Sequence, residues 1–216
     1  MSLDLALARK NMVQSQVVPH MVTDPALLAV LHTLPRERFL DAPYQPFAYS
    51  DYPIPLGPSG RISLLPIQFA KMIQALACNK GEKVLVVGAG TGYEASLLAG
   101  MGLQVFALES DPDLAAQGQK ATTGTSITWK IRDLKEGCPE DAPFDGILFC
   151  GAVSEIPAPC RRQLAHSGNL VAIVGRAHNP VMPVKRISGS GGPEETLFET
   201  VASPLPGLDL PEPFEI

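Results

Sequence analysis

The sequence has little with which to hold a metal ion or a disulfide framework. Its four cysteines, Cys78, Cys138, Cys150 and Cys160, lie far apart with no CxxC pair, so neither zinc spacing nor bridge spacing is present, and reduced thiols in a cytoplasmic protein are expected. His20, His32, His166 and His178 also lack ligand spacing and read as satisfied or exposed side chains. No metal site is expected. There is no apolar run near the roughly 20 residues a membrane span needs, and the opening MSLDLALARKNM has neither the apolar core nor the small-residue cleavage site of a signal peptide. A formal charge of -5 gives no chain-wide basic field, so neither nucleic acid nor an anionic membrane surface is an expected partner. Internal repeats and low-complexity tracts are lacking too.

What is present is 216 residues, enough for one sizeable core and short for two. The expectation is a single structural domain, with residues 1–66 as a helical and loop extension packed on a core of residues 67–216. From Asp4 to about Leu34 apolar residues recur at helical spacing, broken near Pro19, and Asp24-Pro25 reads as a cap followed by a first-turn proline. Pro35 to Pro66 is crowded with proline, glycine and tyrosine and predicts a long irregular segment, which in a compact domain is usually functional or disordered. Beyond it, IQFAKMIQALA, EASLLAGM, PDLAAQGQKA and IPAPCRRQLA read as helices. They alternate with the strands KVLVVG, QVFALE, ITWKIRD, FDGILFCG and NLVAIVG. Strands this apolar, alternating with helices, predict an α/β fold with a mostly parallel sheet covered on both faces. VMPVKRI and EETLFETV then predict a closing antiparallel pair joined through SGSGG.

Chemistry is concentrated in VLVVGAGTGYEASLLA. Gly88, Gly90 and Gly92, with Ala89 between the first two, join a strand to a helix, where glycine permits a sharp turn and a close approach of ligand to backbone N–H groups. A dinucleotide fingerprint would need glycine at position 93, where Tyr93 stands, and the Gly-Lys-Ser/Thr ending of a triphosphate loop is missing. The remaining pattern, GxGxG, suits a cofactor without phosphates such as S-adenosylmethionine. Glu109 ends the second strand about 20 residues further on, where a carboxylate can accept from both ribose hydroxyls of a nucleoside. Asp133, after the third strand, is placed to meet an adenine amino group or to cap a helix. Gly151 and Ala152 fall at the carboxyl edge of the sheet, where backbone approach to the methionine part of the cofactor is expected. Trp129 and Met12 read as packing residues, and Glu136 with Glu140 as a solvated face.

These residues, together with LPRERF, AYSDYPIPLG, MVQSQV and EGCPEDAPFDGILFCGAVSEIP, resemble the protein-L-isoaspartate O-methyltransferase family from about Met12 to Gly175. The tail SPLPGLDLPEPF is unlike the usual members and is similar to a bacterial side branch. The resemblance implies a Rossmann-like methyltransferase fold with a seven-stranded, mostly parallel sheet behind N-terminal helices. It also implies S-adenosylmethionine as methyl donor, S-adenosylhomocysteine as product, and isoaspartyl carboxylates of damaged proteins as acceptor.

The family loop usually carries Thr-Ile-Ser, one further residue and proline, with its hydroxyls near the acceptor. In LGPSGRISLLP, a gapless register on Pro66 puts Ile62 and Leu64 at the hydroxyl positions, whereas one inserted residue returns Ser63 to the serine position and puts Arg61 in place of the threonine. Ser63 is thus the catalytic candidate, and the gapless register removes it. Arg61 reads as solvent-facing, with a bidentate contact to an anionic substrate as the alternative. Two further functions follow from the altered loop: the same cofactor used on another acceptor, or a catalytically silent S-adenosylmethionine-binding protein. Oligomeric state is not written in the sequence.

Overall fold

The structure is a computed structural model that describes residues 4–58, 60–176 and 178–209. Helix α1 (Leu5–Met12) starts at Asp4, whose carboxylate accepts from the Leu7 amide at 3.0 Å, filling the need of a first turn whose N–H groups have no helical partner. The helix loosens through a π turn at Val13–Val17 and a 3-10 turn at Val18–His20, where Pro19 removes a donor. Helix α2 (Pro25–Thr33) is capped by Asp24, which accepts from the amides of Ala26 and Leu27.

Residues 35–66 stay largely irregular, with 3-10 turns at Arg36–Phe39 and Ala42–Phe47 and a small hairpin of β1 (Pro55–Leu56) and β2 (Arg61–Ile62). Buried irregular backbone must still satisfy its polar groups, and the buried Arg36 does part of this. Its guanidinium donates to the carbonyls of Ala48 (2.7 Å) and Leu64 (2.8 Å) and to the Ser63 hydroxyl (3.0 Å).

Helix and strand then alternate: α3 (Pro66–Leu76), β3 (Lys83–Val87), α4 (Tyr93–Gly100), β4 (Gln104–Glu109), α5 (Pro112–Ala121), β5 (Thr128–Ile131), β6 (Phe144–Val153), α6 (Ala158–Arg162) and β7 (Leu164–Val174). An antiparallel pair, β8 (Met182–Ser188) and β9 (Glu194–Thr200), closes the sheet. Its order is β5-β4-β3-β6-β7-β8-β9, and the first five of these strands are parallel. Helix α6 is shorter than IPAPCRRQLA suggests because Gln163 leaves it for a loop: its side chain accepts from the Cys138 amide and donates to the Glu136 carbonyl.

The two sheet faces carry separate cores, as the pleat requires. Val84 and Val86 of β3 join Met12, Leu27, Phe69 and Ile73 on one side, while Leu85 and Val87 join Leu108, Phe144 and Phe149 on the other. Helices α1 and α2 therefore share a core with the sheet. Strands β4 and β6 flank β3 on opposite sides, so the crossovers diverge between β3 and β6. In open α/β sheets the crevice outside the carboxyl ends of such strands is where ligands bind. Among the described residues no helix is long and apolar enough to cross a membrane.

Candidate cofactor cradle

The chain leaves β3 into this crevice through the glycine turn, with φ of 71, 56 and 87 degrees at Gly88, Gly90 and Gly92. These are left-handed values that a Cβ penalises. The turn is drawn towards β4: the amides of Gly88 and Ala89 both donate to the Leu108 carbonyl, at 2.9 and 3.0 Å, and Gly90 N–H donates to Glu109 Oε2 at 2.7 Å. Glu109 Oε1 accepts from the amides of Ser110 (2.8 Å) and Asp111 (3.0 Å). The carboxylate expected at a ribose thus converges on the glycine turn, fully buried.

A fourth N–H donor to that carboxylate comes from the loop hairpin. Arg61 Nη1 lies 2.7 Å from Glu109 Oε2, and Nη2 donates to the Gly88 carbonyl at 2.8 Å. Arg61 is 3% exposed, which corrects the expectation of a solvated arginine. Burying a cation is costly unless it is paired and hydrogen-bonded, and Glu109 with Gly88 supplies both conditions. No property local to LGPSGRISLLP carries that information.

The other side of the crevice is β6, and there a segment of the tail lies along it. Ala152 N–H donates to the Ser203 carbonyl (2.9 Å), Leu205 N–H to the Ala152 carbonyl (2.8 Å) and Ser154 N–H to the Leu208 carbonyl (2.9 Å). Leu205 is 1% exposed. A Cβ built on Gly88 would lie 2.4 Å from Leu205 Cδ2, and one on Gly151 2.7 Å from the same atom. The leucine therefore rests directly against both glycines.

Ser63 lines a cavity with Gly88, Ala89, Tyr93, Glu94 and Cys150, but that cavity measures only about 10 Å³. Its hydroxyl accepts from Arg36, and Leu64 beside it is buried. Gly92 faces elsewhere: a Cβ there would meet Trp129, whose indole N–H donates to Thr122 at 3.0 Å. Asp133 sits one strand over from Glu109, exposed, with Oδ1 accepting from the Lys135 amide at 2.9 Å. The structure thus brings Gly88, Ala89, Gly90, Glu109, Gly151 and Ser63 around one crevice and leaves Gly92 and Asp133 at its margins.

Sequence reasoning passed over four residues that shape the crevice: Arg36, Glu94, the Tyr93 hydroxyl and Leu205. Burial pushes the Glu94 carboxyl up, opposed by Arg36 and Arg61. The Tyr93 hydroxyl is buried with no hydrogen-bond partner among the described residues. An acid just past the last glycine, in an otherwise apolar helix start, was the available signal for Glu94; Leu205 gave none.

In kind, these residues fit a nucleoside cofactor. A glycine turn, a carboxylate at the end of the neighbouring strand and an orphaned buried hydroxyl meet at the switch point. In room they do not, because Arg61 lies on Glu109 and Gly88 and Leu205 lies against Gly88 and Gly151. Architecture and turn together define the Rossmann-like fold of S-adenosylmethionine-dependent methyltransferases.

Comparison with known proteins narrows this class. Residues 8–199 match the family model of protein-L-isoaspartate(D-aspartate) O-methyltransferase. A protein-L-isoaspartate O-methyltransferase of Methylorubrum populi is 42% identical over 170 residues, 78% of this chain and 80% of the relative. One from Gloeobacter violaceus is 36% identical, covering 90% of this chain and 96% of its own. Among solved structures, a protein-L-isoaspartate O-methyltransferase superposes with a TM-score of 0.82 at 21% identity, covering 93% of this chain and 67% of that one. A Plasmodium falciparum structure of the same description, in complex with S-adenosyl-L-homocysteine, gives 0.77 at 17% identity and covers 94% and 99%. The chain belongs to the protein-L-isoaspartate(D-aspartate) O-methyltransferase family, and the fold implied by the sequence resemblance is the fold observed.

Proposed function

We propose that this chain is an S-adenosylmethionine-dependent O-methyltransferase acting on isoaspartyl carboxylates of damaged proteins. The observation that carries the reading is the convergence of the glycine turn and Glu109 at the β3/β6 crevice, with Gly90 N–H 2.7 Å from the carboxylate, in a chain of this family. Glu109 would accept from the ribose. The backbone at Gly88, Ala89, Gly90 and Gly151 would follow the methionine part, with Gly92 opening α4 behind it and Asp133 on the adenine side. When bound, the cofactor supplies an activated methyl group. The acceptor carboxylate has a pKa near 4 in water and is already an ionised nucleophile at neutral pH, so the protein's task is alignment, exclusion of water and fixing of the acceptor. Ser63, at the cavity and accepting from Arg36, is the candidate hydroxyl for that last role.

In this reading residues 1–66 form an extension on a core of residues 67–216, of which 1–3, 59, 177 and 210–216 lie outside the described residues, and the protein works in the cytoplasm on a protein or peptide partner, without nucleic acid. Transfer of labelled methyl from S-adenosylmethionine to an isoaspartyl peptide, with its aspartyl twin as control, tests it. Turnover selective for the isoaspartyl peptide is expected; absence of transfer to either peptide rejects it. A second acceptor class is favoured by one feature, a groove of about 370 Å³ lined by Pro53, Ile62, Leu64, Leu65 and Val201. With Ser63 held by Arg36, that surface suits an apolar acceptor.

A further inference from the structure

We propose that Arg61 and the segment Ser203–Leu208 form a latch that closes the cofactor cradle from within, so that a nucleoside cofactor binds only when the latch is displaced. The inference rests on the methyltransferase reading above. Its basis is that the groups expected to hold the cofactor already hold parts of this chain. Arg61 takes an oxygen of Glu109 and the carbonyl of Gly88, two acceptors that a ligand's hydroxyl or ammonium donors would use. Leu205 lies against Gly88 and Gly151, two of the points where backbone approach to the ligand was expected. The cavity that Gly88 and Ala89 line together with Ser63 and Tyr93 measures about 10 Å³, whereas a small-molecule site occupies roughly 300–1,000 Å³. Ligand and latch are therefore mutually exclusive by volume and by hydrogen-bond capacity.

The segment is built to come and go. Only Leu205 and Leu208 are buried in it, while Pro206 and Gly207 are exposed. Among the described residues its backbone bonds reach Ala152 of β6 and Ser154 just past the strand, and Ser203 adds a side-chain contact by accepting from Ile62 N–H at 2.9 Å. That last bond ties the segment to the hairpin that carries Arg61, so release of one loosens the other. Departure of Arg61 does not leave Glu109 unpaired if ribose hydroxyls replace it. The apparent affinity for cofactor is then the intrinsic affinity multiplied by the fraction of molecules with the latch open.

The test compares binding of S-adenosylhomocysteine by calorimetry to the full chain and to its Leu205→Ala variant, with amide hydrogen exchange of the wild type as a second readout. Trimming the leucine removes the buried methyl groups that favour the closed state, and roughly tenfold or greater tightening is expected. In the wild type, saturating ligand should speed exchange at the Leu205 amide. Equal affinity of the two proteins, a Leu205 amide equally protected with ligand, or no binding by either protein each overturns the latch. Should Leu205→Ala fail to fold, the exchange measurement on the wild type decides alone. The acceptor reading fails separately: binding with release of the segment but no transfer to the isoaspartyl peptide upholds the latch and rejects that acceptor, whereas transfer with an undisturbed segment does the reverse.

Discussion

Replacing Glu109 with glutamine should destabilise the protein far more than its small change in shape suggests. Four N–H donors converge on the carboxylate: Arg61 Nη1 and Gly90 N–H on one oxygen, and the amides of Ser110 and Asp111 on the other. A glutamine, whichever way it turns, points an NH2 group at two of them and leaves the buried Arg61 charge without a counter-charge. Removing one partner of a buried pair costs about 3–5 kcal/mol, which for a chain of this size lowers Tm by roughly 6–20 °C. Circular dichroism melts of the wild type, Glu109→Gln, Arg61→Met and the double variant measure it. The double variant should recover a good part of the loss, because it no longer buries a lone cation. A single variant melting within about 2 °C of wild type, or a double variant no better than the single, would falsify the paired burial of Arg61 and Glu109.

Arg36→Ala should cost about 3 kcal/mol or more, since it leaves the Ala48 and Leu64 carbonyls unpaired and empties a fully buried site; Ser63→Ala removes one bond and should cost about 1 kcal/mol, so urea melts that rank the two alike contradict the assignment. Burial raises the thiols of Cys78 to about 12, Cys138 to about 11 and Cys160 to about 12, and Cys150 well above its ordinary value. Iodoacetamide at pH 8 should therefore leave the folded protein unmodified by intact mass, and four additions should appear in urea. Glu140 is held down to about 2, first by its own backbone N–H and then by Arg132. A depressed carboxyl contributes stability above its unfolded pKa that is lost as pH falls. The contribution of Glu140 should fade between about 4.5 and 2, and carbon-detected titration with a midpoint near 4 would contradict it.

The elements were legible because burial on two faces writes a continuous apolar run into each inner strand and a helical period between them, as in VLVVG and IQFAKMIQAL. The Asp24-Pro25 helix start is local chemistry and was readable for the same reason. The crevice was legible only as far as its own loop. Arg61 and Glu109 are 48 residues apart in sequence, and Gln68, a loop-to-helix residue, reaches across the fold to Thr200 and Val201. Such pairings leave no period and no spacing, so a lone arginine looked like a surface arginine. The leucine of PLPG looked like any apolar residue of a tail. What decided its place was the lack of side chains at Gly88 and Gly151, a complementarity between distant segments.

That complementarity makes Gly151 a means of separating the latch from the rest of the fold. A Cβ there would approach Leu205 Cδ2 to 2.7 Å and the Ser203 carbonyl to 3.1 Å, and the second contact is with backbone, which cannot rotate away. Gly151→Ala should therefore push the segment outward and, through the Ser203–Ile62 bond, loosen the hairpin, while Arg61 and Glu109 both keep their charges to pair. Loss of the Leu205 anchor should cost about 1–3 kcal/mol, on the scale of overpacking a tight contact, without the larger penalty of a stranded charge. The two perturbations thus carry different signatures. Glu109→Gln destabilises the whole molecule, so amides of β3 and β4 exchange faster; Gly151→Ala should accelerate Leu205 selectively, with β3 and β4 changing only by the global cost. Hydrogen exchange resolved by residue distinguishes them, and a Gly151→Ala protein whose Leu205 amide is as protected as in the wild type would show that the leucine is not seated against this glycine.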